Sequence, residues 1–183
     1  SDEAELVRMV NTSVTINDKP SAFRYPRGNG VGVNLPNIYE KLEIGKGRVI
    51  KEGKKIAILS FGARLNECLI AYENLVKKGI NPTIIDARFA KPLDESLIWQ
   101  LATDHEVLIS IEEGSIGGFG SHVGQLLSDK NLLDNNLKYR SMILPDRFID
   151  QDKPDLMYKY AGLDAESTER SEERRVGKEC PLL

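Results

Sequence analysis

Apolar residues recur at helical spacing through Leu65, Cys68, Leu69, Tyr72, Leu75 and Val76, one stripe of a 3.6-residue period. Lys77, Lys78 and Gly79 follow, a basic last turn and a glycine stop. The spacing therefore predicts a helix that ends near Lys77. Ahead of it, Lys55 to Phe61 carries Ile56, Ala57, Ile58 and Leu59 as a nearly unbroken apolar run, which suits a strand covered on both faces. Gly47 to Lys51 reads as an edge strand, joined to that run as a hairpin through the turn Glu52-Gly53-Lys54.

The same alternation continues downstream. Pro82 to Ala87 is a predicted strand, and Asp94 caps a predicted helix through His105 whose apolar side is Leu97, Ile98 and Leu101. Val107 to Ile111 is a second buried strand. A loop from Glu112 to Gly120 leads to a helix near His122–Leu127, then a strand at Tyr139–Leu144 and an amphipathic helix around Asp155–Tyr160. Strands and helices that alternate with short connections predict an α/β fold, a mostly parallel doubly wound sheet with helices on both faces.

The opening residues have a different texture. Ala4–Val10 is a short amphipathic helix, and Pro20–Tyr25 reads as an aromatic-rich strand stopped by Pro26 and Gly28. The expected organisation is an opening piece over 1–35, a linker over 36–43, the α/β domain over 44–165 and a polar tail over 166–183. The first residue is not Met and the first ten resemble the middle of a helix, so the chain is expected to begin inside a longer protein. From Ser167 the tail is charged and without apolar period, as disordered segments are. Within it, residues 170–180 match one translated frame of a sequencing-adapter oligonucleotide and are expected to be a read-through addition.

Composition narrows the function. Hydrophobic residues make up 40% and charged residues 29%, values of a chain able to bury a core. Twenty-five Lys and Arg against 28 Asp and Glu leave a net charge of −3, which argues against general attraction to nucleic acid or an anionic membrane. No apolar run is long enough to span a bilayer and no leader is visible, so the expected location is the cytoplasm. Two cysteines, Cys68 and Cys180, make no disulfide framework, and His105 and His122 have no metal-binding spacing. No metal ligands and no catalytic or cofactor-binding residues are nominated.

Three segments could carry chemistry. In Arg24-Tyr25-Pro26-Arg27-Gly28, a turn after the strand would place a guanidinium where open α/β sheets bind ligands, and Arg27 is the better anion-binding candidate, with Arg24 in support. Residue types alone favour a plainer reading, in which both arginines form ion pairs at the surface or a domain seam. The loop Glu112 to Gly120 sits where backbone amides could hold an anion. Its glycines do not follow GxGxxG, and its acidic pair would repel phosphate, so tight packing or a subunit contact is the expected use of Gly114–Gly120. Asp86 to Asp94 reads as a surface ion-pair network and a helix cap. His122 is expected to be a local hydrogen-bond partner, and Cys68 to pack as a small hydrophobe.

Taken together, Ser1–Leu6, Pro20–Gly28, Ile44–Gly47, Arg88–Asp94 and Glu112–Gly114 followed by Gly117–Ser121 resemble the bacterial 1-deoxy-D-xylulose-5-phosphate synthase family, in the correct order as far as about Ala165. That resemblance implies a homodimeric enzyme dependent on thiamine diphosphate and magnesium. It would condense pyruvate with glyceraldehyde 3-phosphate, with loss of CO2, toward isoprenoids, thiamine and pyridoxal phosphate. It implies that residues 1–35 end a pyrimidine-binding domain and that 44–165 form a transketolase-type C-terminal domain. It assigns Arg27, the second arginine of the RYPRG motif, to the substrate phosphate. The family's cofactor-anchoring and activating residues belong to regions outside this chain, so tight thiamine diphosphate binding by this piece is not expected, nor is activity. Another thiamine-dependent enzyme, a transketolase or a 2-oxo-acid dehydrogenase β subunit, is the alternative; a non-catalytic interaction module is the other.

Overall fold

The computed structural model describes residues 1–37 and 39–173. In chain order the elements are α1 (Glu3–Ser13), β1 (Arg48–Lys51), β2 (Lys55–Phe61), α2 (Leu65–Lys77), β3 (Thr83–Asp86), α3 (Glu95–Asp104), β4 (His105–Glu112), α4 (Phe119–Asp129), β5 (Lys138–Met142), α5 (Pro154–Ala161) and α6 (Ala165–Glu173). The strands form one sheet in the order β1-β3-β2-β4-β5. β3, β2, β4 and β5 are parallel, and only β1 runs antiparallel, at the edge beside β3. The α/β, mostly parallel architecture expected from the apolar pattern is the one observed. No helix among the described residues is long and apolar enough to cross a membrane.

Helices cover both faces because the central strands are apolar on both. Along β2, Ala57 and Leu59 face a core shared with Ile98 and Leu101 of α3 and Phe119, Val123 and Leu127 of α4. The alternate residues face the other layer: Ile58 packs with Leu65 and Cys68 of α2, and Ile56 with Leu75. This two-residue alternation of buried side chains is why the strands read as continuous apolar runs. Cys68 is fully buried on that helix face.

Two motif segments of the sequence meet at the edge of the sheet. A Cβ on Gly45 would lie 2.8 Å from Cγ of Pro92, so the IGKG and KPLD segments touch closely enough to require glycine there. Asp94 is the N-cap of α3 and accepts from the Leu97 amide at 3.2 Å, the Gly47 amide at 3.1 Å and the Lys46 ammonium at 3.3 Å. Burial pushes the Asp94 carboxyl upward, and these donors with the Ser96 hydroxyl outweigh it, leaving it below the usual range.

Three expectations change. Residues 20–25 form no strand, because a strand needs a partner for its amides and carbonyls and no described segment pairs with this one. Arg27 is therefore not at a strand end. β1 is an edge strand as expected, but it is not the hairpin partner of β2. A Cβ on Gly53 would lie 2.2 Å from the Asn81 carbonyl oxygen, and the Gly53 amide donates to Thr83 Oγ1 at 3.0 Å. The connection thus threads tightly under the start of β3, which inserts between β1 and β2. Finally, the polar stretch from Glu166 continues as α6 to Glu173 rather than starting a disordered tail. Asp164 caps it by accepting from the Ser167 amide at 3.0 Å. Polar contacts then fasten it to α2, with Glu169 taking Asn74 and Lys78 and Glu67 taking the Ala165 amide. Residues 174–180 of the presumed read-through lie outside the described residues.

Candidate functional site

The segment that carries Arg24 and Arg27 runs without regular structure between α1 and the sheet. Its shape comes from contacts on either side. The Arg24 guanidinium lies 5.9 Å from the centroid of Phe61, at the carboxyl end of β2. Phe61 in turn stacks on Phe119, the first residue of α4, at 4.7 Å. A cation over an aromatic face contributes roughly 0.5–2 kcal/mol, so Arg24 is occupied as a structural contact at the seam. Arg27 differs. It is exposed and, among the described residues, has no hydrogen-bond, ion-pair or ring partner. The two arginines are not brought together on one ligand.

Beyond Arg27 the backbone folds around a carboxylate. Glu3, the first residue of α1, accepts from the amides of Val31 at 3.0 Å, Gly32 at 2.6 Å and Val33 at 3.0 Å. Successive amides converging on one anion form a nest, and Gly32 has the left-handed φ of 88° that such a turn requires. Its own amide, then those of Gly32, Val31 and Val33, hold the Glu3 carboxyl below the ordinary carboxylate range.

α1 is itself locked to the sheet by buried charge. Glu5 is 2% exposed and binds three guanidiniums: Arg88 bidentately at 2.7 and 3.1 Å, Arg8 at 2.9 Å and Arg48 at 3.1 Å. Arg48 also pairs at 3.0 Å with Asp86, its direct neighbour across the β1–β3 ladder. Asp86 further accepts from the Ser1 hydroxyl at 2.8 Å. The expected Asp86–Asp94 ion-pair network exists, but it lies buried at the seam with α1 rather than on the surface. Sequence reasoning missed Glu3 and Glu5; the only local trace of the network was the three-residue spacing of Glu5 and Arg8.

The glycine-rich loop has a different occupant from a phosphate. Glu112, 1% exposed at the end of β4, turns its carboxylate onto the Gly120 amide at 2.8 Å. A Cβ on Gly114 or Gly118 would lie 2.3 or 2.6 Å from that carboxylate, so both glycines make room for it. The anion at the start of α4 is the protein's own, which agrees with the tight-packing reading. His122 is half-buried on α4, and its ring makes no hydrogen bond among the described residues, against the expected local partner. Arg64 pairs with Glu113 at 2.9 Å and lies 3.7 Å from the centroid of Tyr158, which ties the loops after β2 and β4 to α5.

Tyr139 anchors the far side of this loop. Its hydroxyl donates to the Gly120 carbonyl at 2.6 Å and shares a 2.7 Å hydrogen bond with Ser110. Burial pushes the phenol up to about 12, helped by the negative Glu112 and opposed by the Ser110 hydrogen bond. Because the folded value is raised, this stabilisation is complete below the unfolded value near 10 and is lost as pH rises toward 12. Ultraviolet titration should show Tyr139 ionising last of the six tyrosines, with Tyr158 also raised by burial, and Tyr139→Phe should remove the latest step together with part of the alkaline destabilisation. Six tyrosines all ionising near pH 10 would contradict this.

No group of three His, Cys, Asp or Glu side chains among the described residues is arranged to hold a metal ion. At the start of α4 the Gly120 amide is turned on Glu112 rather than left for an added anion. Residues 45–168 match the family described as "Transketolase, C-terminal domain". The fold is also similar to a solved protein described as "Split gene transketolase, inactive beta4 tetramer". The two share 26% identity with a TM-score of 0.68 over 78% of this chain. The match covers 46% of that protein, so this chain corresponds to about half its length.

Proposed function

The chain belongs to the transketolase C-terminal domain family, and from that premise we propose that it is the C-terminal part of a thiamine-diphosphate-dependent 1-deoxy-D-xylulose-5-phosphate synthase. Its substrates are then pyruvate and glyceraldehyde 3-phosphate, the reaction releases CO2, and the whole enzyme is a cytoplasmic homodimer that also uses Mg2+. The observation that carries this reading is Arg27. It is an exposed guanidinium without a partner among the described residues, within the RYPRG segment, between contacts that hold the chain on both sides. Such a fork suits the phosphate of the aldehyde. Residues 1–35 are the end of the pyrimidine-binding domain in this reading, and 44–165 the C-terminal domain.

In this reading the cofactor and its metal are held by other parts of the whole enzyme, so no chemical step is assigned to the described residues. Their part is to hold the phosphorylated aldehyde and to brace the segment that does so. The piece alone is proposed to be inactive. A transketolase proper is supported equally by the family match and by the split-gene relative, whose β chains are described as an inactive tetramer. The motif segments with Arg27 and Ile44–Gly47 favour the synthase. Assaying the full-length protein separates the two. The synthase reading expects CO2 release from pyruvate that depends on glyceraldehyde 3-phosphate; turnover of a ketose phosphate donor without pyruvate would replace it with the transketolase reading.

A further inference from the structure

We propose that Glu3 is a positioning residue for Arg27, fixing the loop that presents the guanidinium to the substrate phosphate. This rests on the proposed role of Arg27 and goes beyond it by naming what sets its place. Arg27 has no partner among the described residues, so its location depends on how the backbone around it is held. Three residues before it, Arg24 lies on Phe61. Three residues after it, Gly30 passes so close to Glu3 that a Cβ would lie 2.6 Å from the carboxyl carbon. The next three amides, Val31 to Val33, all close on the same carboxylate.

The carboxylate is itself a fixed point. Glu3 lies in the first turn of α1, which Asp2 caps by accepting from the Glu5 amide at 2.8 Å. Two residues on, Glu5 is clamped by Arg48 of β1 and by Arg88 just beyond β3. Rigidity thus passes from the sheet to Glu5, across two residues of helix to Glu3, and through three amides to the loop. Between the two tethers only Tyr25 to Asn29 are left to carry Arg27, and Gly28 has nothing within 4 Å of a built Cβ. A flexible loop would have to order on binding, at an entropic cost that a pre-fixed loop avoids. The same amides lower the Glu3 carboxyl below the ordinary carboxylate range, which favours the charged form that the tether uses.

The test uses the full-length enzyme with glyceraldehyde 3-phosphate and with unphosphorylated glyceraldehyde. Glu3→Ala should lower the preference for the phosphorylated aldehyde, measured as the ratio of kcat/KM values, by about tenfold, chiefly through KM. kcat with the unphosphorylated aldehyde should hold. Glu3→Gln, which keeps one oxygen for Gly32 and Val33, should retain most of the preference. The double variant with Arg27→Ala should lose little beyond Arg27→Ala alone, since both act on one contact. A purely structural role would depress both aldehydes alike. If Arg27→Ala lowers the ratio and Glu3→Ala does not, the positioning role is overturned and the proposed function stands. If neither variant changes the ratio, the proposed function falls and takes this inference with it.

Discussion

Glu5→Ala is expected to destabilise the chain by about 3–5 kcal/mol, the range for removing one partner from a buried ion pair. Glu5 is almost wholly buried, and its two oxygens bind Arg8, Arg48 and Arg88. Removing it leaves three guanidiniums facing one another at the seam between α1 and the sheet. Arg48 keeps Asp86, and Arg8 keeps Glu40 at 2.8 Å, but the bidentate partner of Arg88 is gone. Arg88 also has a left-handed φ of 58°, a conformation uncommon for a side chain other than glycine, and its amide donates to Asp86 at 3.2 Å. Denaturant unfolding of wild type and variant measures the loss. A change below about 1 kcal/mol would show that the cluster is a weakly coupled surface network instead.

The second large effect is functional. Arg27→Ala in the full-length enzyme is expected to lose roughly 2–4 kcal/mol of transition-state stabilisation with glyceraldehyde 3-phosphate, about 30- to 900-fold in kcat/KM. The unphosphorylated aldehyde should be little affected, because it offers the guanidinium no dianion. Stability should also be unchanged, since Arg27 is exposed and has no partner among the described residues. Arg27→Lys should keep the charge and lose the two-pronged geometry, falling between wild type and Ala. An unchanged aldehyde preference in Arg27→Ala would remove the basis for the proposed substrate. Arg24→Ala provides the contrast, with an expected loss of stability through Phe61 and a smaller, indirect effect on the phosphate.

The elements were legible wherever the pattern was local. The stripe from Leu65 to Val76 became α2, and the apolar runs of β2 and β4 became central strands. Asp94 capped its helix as its position indicated. The candidate site was only half legible. Arg27 could be singled out within its motif, but a strand was expected around Pro20–Tyr25 where none forms, since a ladder needs a second strand and hydropathy does not supply one. α6 escaped notice for the opposite reason. It has no apolar stripe and is held by the Asp164 cap and by carboxylates against α2.

The sequence by itself determined the α/β class, the order of most strands and helices, and which faces would be apolar, because residues two or three to four apart in the chain decide those through burial. Only the tertiary structure decided that β3 separates β1 from β2, that Glu112 fills the glycine-rich loop, and that Glu3 and Glu5 fasten the Arg27 segment to the sheet. Those outcomes are contacts between residues some eight to more than eighty positions apart, set by hydrogen-bond and charge geometry. A carboxylate has the same formula in water as in a nest of amides, and what it binds is known only when the chain has brought its partners within about 3 Å.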